Sequence, residues 1–108
     1  MSLKRFCLWA REIEKRVDSL GFVAKLTALP ESETESATDN PGAYLDIDTS
    51  EFLSRIALSD SGLCDVEIIS SKSGENTYYK HIENCTNNFD LEFEEFFRIL
   101  KIESVLTD

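Results

Sequence analysis

The chain has 108 residues, the size of one domain, and its mix of 42% hydrophobic and 30% charged residues excludes a disordered or fibrous class. Its formal charge of −10 argues against direct nucleic-acid binding, since phosphates call for a basic surface, and favours either a basic partner or plain solubility. No apolar run approaches the ~18 residues of a membrane span, and one short domain has little length to spare for a cofactor cavity.

The charge is unevenly spread. Residues 1–25 carry six bases against three acids, and the remainder carries five bases against eighteen acids. Three cysteines, Cys7, Cys64 and Cys85, are an odd number without a C-x-x-C pair, which points to reduced thiols and a cytoplasmic location. The apolar run Phe6–Ala10 is cut by Arg11 and Glu12 too early to form the core of a signal peptide.

In chain order, residues 2–20 predict a helix. Leu3, Phe6, Ala10, Ile13, Val17 and Leu20 recur at steps of three and four and share a face; Trp9 widens it and Leu8 falls outside it. Ser2 is placed as an N-cap, and Gly21 stands where a helix-ending glycine belongs. Residues 22–29 alternate as a strand. Residues 30–41 hold both prolines, four acids and no large apolar side chain, and predict a mobile acidic loop.

Three further strands follow. Ala43, Leu45 and Ile47 alternate with Tyr44, Asp46 and Asp48. Phe52, Ile56 and Leu58 share one parity, with Arg55 on the other. Cys64, Val66 and Ile68 alternate with Asp65 and Glu67. Asp60-Ser61-Gly62 and Lys72-Ser73-Gly74-Glu75 are hairpin turns, the second leading into a last strand over 76–82. Two bulky neighbours, Tyr78 and Tyr79, leave the sidedness of that strand open. Residues 89–106 predict a second helix, with Asn88 as N-cap and Phe89, Phe93, Phe96, Phe97 and Leu100 as its core face. The fold expected is therefore α+β: a single domain over 1–108, with an N-terminal helix, a four- or five-stranded antiparallel sheet and a C-terminal helix. Both helices lie on one face of the sheet, and the other face meets water.

Candidate chemistry is sparse. His81 and Cys85 stand at H-x3-C spacing with Cys64 on a neighbouring strand, but nothing marks a fourth zinc ligand or a third group to orient a Cys–His pair. Carboxylates two apart on a strand share one face rather than forming a hydrolytic pair in a cleft. The expectation is no catalytic residue, no metal and no cofactor. What remains is the exposed face, where alternation places Asp46, Asp48, Arg55, Asp65 and Glu67 together. That face reads either as a solvated surface or as a docking surface for a basic protein.

The order of residues through this region has a counterpart. Tyr44-Leu45-Asp46-Ile47, Arg55-Ile56-Ala57-Leu58, the run from Asp60 to Ile69 with its Ser-Gly-x-Cys-Asp-x-Glu hairpin, Ser73-Gly74-Glu75 and Tyr79-Lys80-His81 together resemble the TriTu family of bacterial immunity proteins. Ser54 and Ser59 depart from the pattern, standing in place of a glycine and a large aromatic residue. The resemblance implies a cytoplasmic, non-enzymatic inhibitor. It would bind the C-terminal toxin domain of a contact-dependent growth inhibition system, a basic tRNA-cleaving nuclease that works with elongation factor Tu. It implies elongation factor Tu as a partner through the toxin complex. Charge and the lack of a long apolar run leave neither nucleic acid nor membrane as an expected partner. Strand alternation makes Asp46, Asp48, Asp65 and Glu67 the expected acidic contacts for the toxin and Arg55 their local organiser. Two alternatives on the residues alone are a small acidic adaptor and an enzyme using Cys64 or His81.

Overall fold

The computed structural model describes residues 3–29, 42–59 and 61–106. Ser2, Asp60 and the segment 30–41, to which the sequence assigns an N-cap, a turn residue and a mobile loop, lie outside the described residues. The elements run α1 (Leu3–Ser19), β1 (Val23–Leu29), β2 (Gly42–Asp48), β3 (Phe52–Ser59), β4 (Cys64–Ser70), β5 (Asn76–Ile82), α2 (Phe89–Glu92), α3 (Glu94–Ile99) and a 3-10 turn (Glu103–Leu106). The five strands form one antiparallel sheet in sequence order, each beside its predecessor. No helix among the described residues is long and apolar enough to cross a membrane.

α1 buries Phe6, Ala10, Ile13 and Val17, the stripe its 3.6-residue period predicts. Leu20 departs from that stripe and is 45% exposed. The reason is the way the helix ends. Gly21 turns left-handed at φ +87°, its N–H donates to Asp18 O, and the Phe22 N–H donates to Val17 O. This is a Schellman ending; it swings Leu20 outward and gives its place at the core to Phe22. Side-chain bonds then fix the helix. Glu14 Oε2 accepts from the Leu26 N–H at 2.8 Å, Arg16 donates to Val105 O at 2.7 Å, and the Trp9 indole donates to Asp90 Oδ1 at 2.8 Å.

The sheet's covered side carries Ala43, Leu45, Ile47, Ile56, Leu58, Cys64, Val66 and Ile68, all buried. Opposite them in one cluster stand α1 and the aromatic residues of the C-terminal segment. Phe6, Trp9, Phe89, Phe93 and Phe97 pack ring against ring at centroid distances of 5.5–6.3 Å. Ser54, the buried polar residue of this side, satisfies its hydroxyl by donating to Ile47 O at 2.6 Å.

One expectation needs correction. The C-terminal segment is not one helix over 89–106. It breaks lightly at Phe93 and ends at Leu100, after which Lys101 turns left-handed at φ +63°. The Lys101 N–H donates to Arg98 O and the Ile102 N–H to Phe97 O, a Schellman ending built without glycine. A continuous helix would carry the face of Phe93, Phe96, Phe97 and Leu100 on to Glu103 and Ser104, which are polar. Breaking it returns Ile102 and Val105 to the core, where both are 3% exposed. The sidedness of β5, open in the sequence, is set by its pairing. A bulge sets Tyr78 opposite Ile68 and Asn76 opposite Ile69, leaving Thr77 between them. Tyr78 therefore faces the core side, where burial and the Glu95 carboxylate accepting from its hydroxyl push its pKa up to about 12. Tyr79 faces the open side and is 57% exposed.

Candidate functional site

The open side of the sheet is built by the other parity of the same strands. The pairings align three rows across it: Thr27, Tyr44, Ala57, Asp65 and His81; Lys25, Asp46, Arg55, Glu67 and Tyr79; and Val23, Asp48, Leu53, Ile69 and Asn76. All five residues singled out from the sequence, Asp46, Asp48, Arg55, Asp65 and Glu67, stand on this side. A second base, Lys25, joins them from β1 beside Asp46.

Arg55 is held at the centre. Its Nε donates to Asp46 Oδ1 at 2.6 Å and its Nη2 to Asp46 Oδ2 at 3.0 Å, a two-pronged pair, while the guanidinium lies 4.0 Å over the Tyr44 ring. The hydrogen bond it donates to Asp46 is the main cause of a raised Arg55 pKa. Glu67 stands across from Arg55 in the ladder and accepts from Asn76 Nδ2 at 3.1 Å. Asp48 makes no hydrogen bond or ion pair through its carboxylate among the described residues. Desolvation first, and the Asp46 charge second, push its pKa up.

Asp65 has company that sequence reasoning missed. Its Oδ1 accepts from the Tyr79 hydroxyl at 2.8 Å and lies 2.7 Å from His81 Nδ1. Alternation could have found both partners, had the bulge in β5 been known. The hydrogen bonds from His81 and then Tyr79 hold the Asp65 carboxyl below the usual carboxylate range. The sign follows from linkage. The unfolded chain binds the Asp65 proton more readily, so the stabilisation is full above the ordinary carboxylate pKa of about 4 and is lost as pH falls through the lowered folded value. The melting temperature of D65N should therefore fall short of wild type at pH 6 by a margin that closes by about pH 2, as read by thermal melts across that range.

The same geometry separates the residues considered for catalysis. His81 lies on the open side, whereas Cys64 is buried on the covered side, beside Ile82 in the ladder. Burial pushes the Cys64 and Cys85 thiols upward, away from the reactive thiolate. Among the described residues no group of three or more His, Cys, Asp and Glu is arranged to hold a metal ion.

Two shallow hollows flank the Arg55 clamp on the open side. One, of about 300 Å³, lies against Asp48, Leu53 and Ile69; the other, of about 270 Å³, lies against Tyr44, Leu63, Asp65 and His81. Leu53, Leu63 and Val23 are exposed by 47%, 42% and 64%, so the open side is mixed rather than purely charged.

These features define a small α+β protein with one sheet face sealed by helices and the other offering carboxylates around a fixed arginine. The chain belongs to the family described as Immunity protein TriTu, whose model matches residues 4–99. That name marks an immunity protein, a class whose partner is a cognate toxin. A search of the curated proteins found no match.

Proposed function

We propose that this chain neutralises the C-terminal toxin domain of a contact-dependent growth inhibition system by docking its open sheet face onto it. The toxin is a basic, tRNA-cleaving nuclease that acts with elongation factor Tu, and elongation factor Tu is reached through the toxin rather than touched directly. The protein works in the cytoplasm and performs no catalysis of its own. Asp46, Asp48, Asp65 and Glu67 are the acidic contacts, and Arg55 organises them.

The observation that carries this reading is the gathering of those carboxylates, with exposed aliphatic residues between them, on the sheet face that none of the described helices covers. A nuclease must be basic where it holds phosphates. A rigid acidic surface complements it, speeding encounter and fixing register. The buried state of Cys64, on the opposite side of the sheet from His81, supports binding over chemistry.

Co-expression tests it. The chain should restore growth and intact tRNA to cells making the toxin domain encoded beside it, while unrelated toxins stay lethal. Capture of elongation factor Tu on the immobilised protein should require the toxin domain. If the purified protein fails to bind that toxin domain, the reading fails.

A further inference from the structure

The hollow at the Asp48 end of the open face has a composition that fits one kind of side chain. Three carboxylates, Asp46, Asp48 and Glu67, surround it with one base, Arg55. That base is already committed. Its guanidinium is drawn to Asp46 and over Tyr44, toward the row of Tyr44 and Ala57 and away from the row of Asp48 and Leu53. Among the described residues Asp48 therefore keeps its charge unanswered, and its ladder neighbours on both sides, Val23 and Leu53, are exposed aliphatics. Ile69 continues the apolar floor from β4. A carboxylate set beside an uncovered apolar floor complements a side chain with a cationic head on a methylene stem.

We infer that this hollow receives one lysine or arginine side chain of the cognate toxin domain, its head at the Asp48 carboxylate and its stem over Leu53 and Ile69. Glu67 forms the far acidic wall. The inference rests on the open-face reading above and assigns to it a single anchoring position. Asp48 is exposed and lies beside the like charge of Asp46, so neutralising it removes no interaction that holds the fold together.

The test is the affinity of the cognate toxin domain for four variants, read by titration calorimetry beside thermal melts. D48N should weaken binding by roughly 30-fold or more, as the loss of one partner in an interfacial charge pair does, with a melting temperature close to that of wild type. D48E, which keeps the charge, should stay within a few-fold of wild type, and L53S should weaken binding by removing the floor. D65K/E67K reads the open face as a whole. If that double variant loses binding while D48N and L53S bind as wild type, the anchoring cation is not here, although the open-face reading stands. If all four bind as wild type, both readings fall. Equal loss in D48N and D48E would also overturn the assignment, because charge would not be what the hollow recognises.

Discussion

Reversing the charge of the open face, in D65K/E67K, should weaken binding of the cognate toxin domain by at least about 100-fold and leave the fold intact. The two side chains stand in adjacent rows of β4, and the double change shifts the face by four charges. Truncating one partner of a hydrogen-bonded interfacial charge pair costs about 2–5 kcal/mol, and setting like charges against each other costs several more. The two terms together give the 100-fold loss, which needs about 2.8 kcal/mol at about 1.4 kcal/mol per factor of ten. Part of the loss should appear as slower association, and the wild-type affinity should fall as salt rises while that of the variant changes less. The fold tolerates the change because the pairs broken are exposed. Asp65 meets His81 with side chains 51% and 42% accessible, and pairs of this kind hold a protein together only weakly. The melting temperature should move by a few degrees at most. Stopped-flow association at two salt concentrations, beside a thermal melt, reads every part of this. Wild-type affinity in the variant would put the docking surface elsewhere on the molecule.

Truncating Phe97 to alanine should have the opposite profile, with stability lost and recognition kept. Phe97 is fully buried and stacks edge-on against both Trp9, at 6.0 Å, and Phe96, at 5.2 Å. Its carbonyl also accepts the Ile102 N–H that closes the C-terminal helix. Removing the ring leaves a cavity between α1 and α3, on the far side of the sheet from the docking face. Phe-to-Ala changes at such sites cost about 3–5 kcal/mol. A domain of this size has only about 5–15 kcal/mol to lose. Urea unfolding should show the midpoint falling with little change in slope. Below the transition, affinity for the toxin domain should match wild type, and a saturating amount of toxin should restore part of the lost melting temperature by mass action. A Phe97→Ala variant as stable as wild type would contradict the single continuous core described here.

Strand sidedness was legible in the sequence for a physical reason. Through the middle of β2, β3 and β4 apolar and polar side chains alternate, so one register buries Leu45, Ile56 and Val66 and any slip by one residue would expose all three. The same alternation places the five charged residues of the opposite parity together on the other face. The stripe of α1 was equally readable, because Phe6, Ala10, Ile13 and Val17 keep a single helical phase. The C-terminal segment held a readable warning as well: the apolar phase changes after Leu100, from the helical set to Ile102 and Val105. The absence of a glycine concealed the break at Lys101.

Other features were decided by tertiary structure, because they depend on residues far apart in sequence meeting at a particular register. The bulge at Thr77 reverses the parity of β5 partway along its length, and only the pairing with β4 shows which tyrosine crosses to the open side. That pairing brings Tyr79 and His81 to Asp65. Alternation places Arg55 on the open face, but the register of β2 against β3 sets it opposite Asp46 and within reach of Tyr44. The arginine is consequently committed within the face, and among the described residues Asp48 is the open-face carboxylate left without a hydrogen bond or ion pair. Sequence periodicity thus determined which side chains share the open surface. The strand register and the β5 bulge determined which of their charges are neutralised from within and which still face outward.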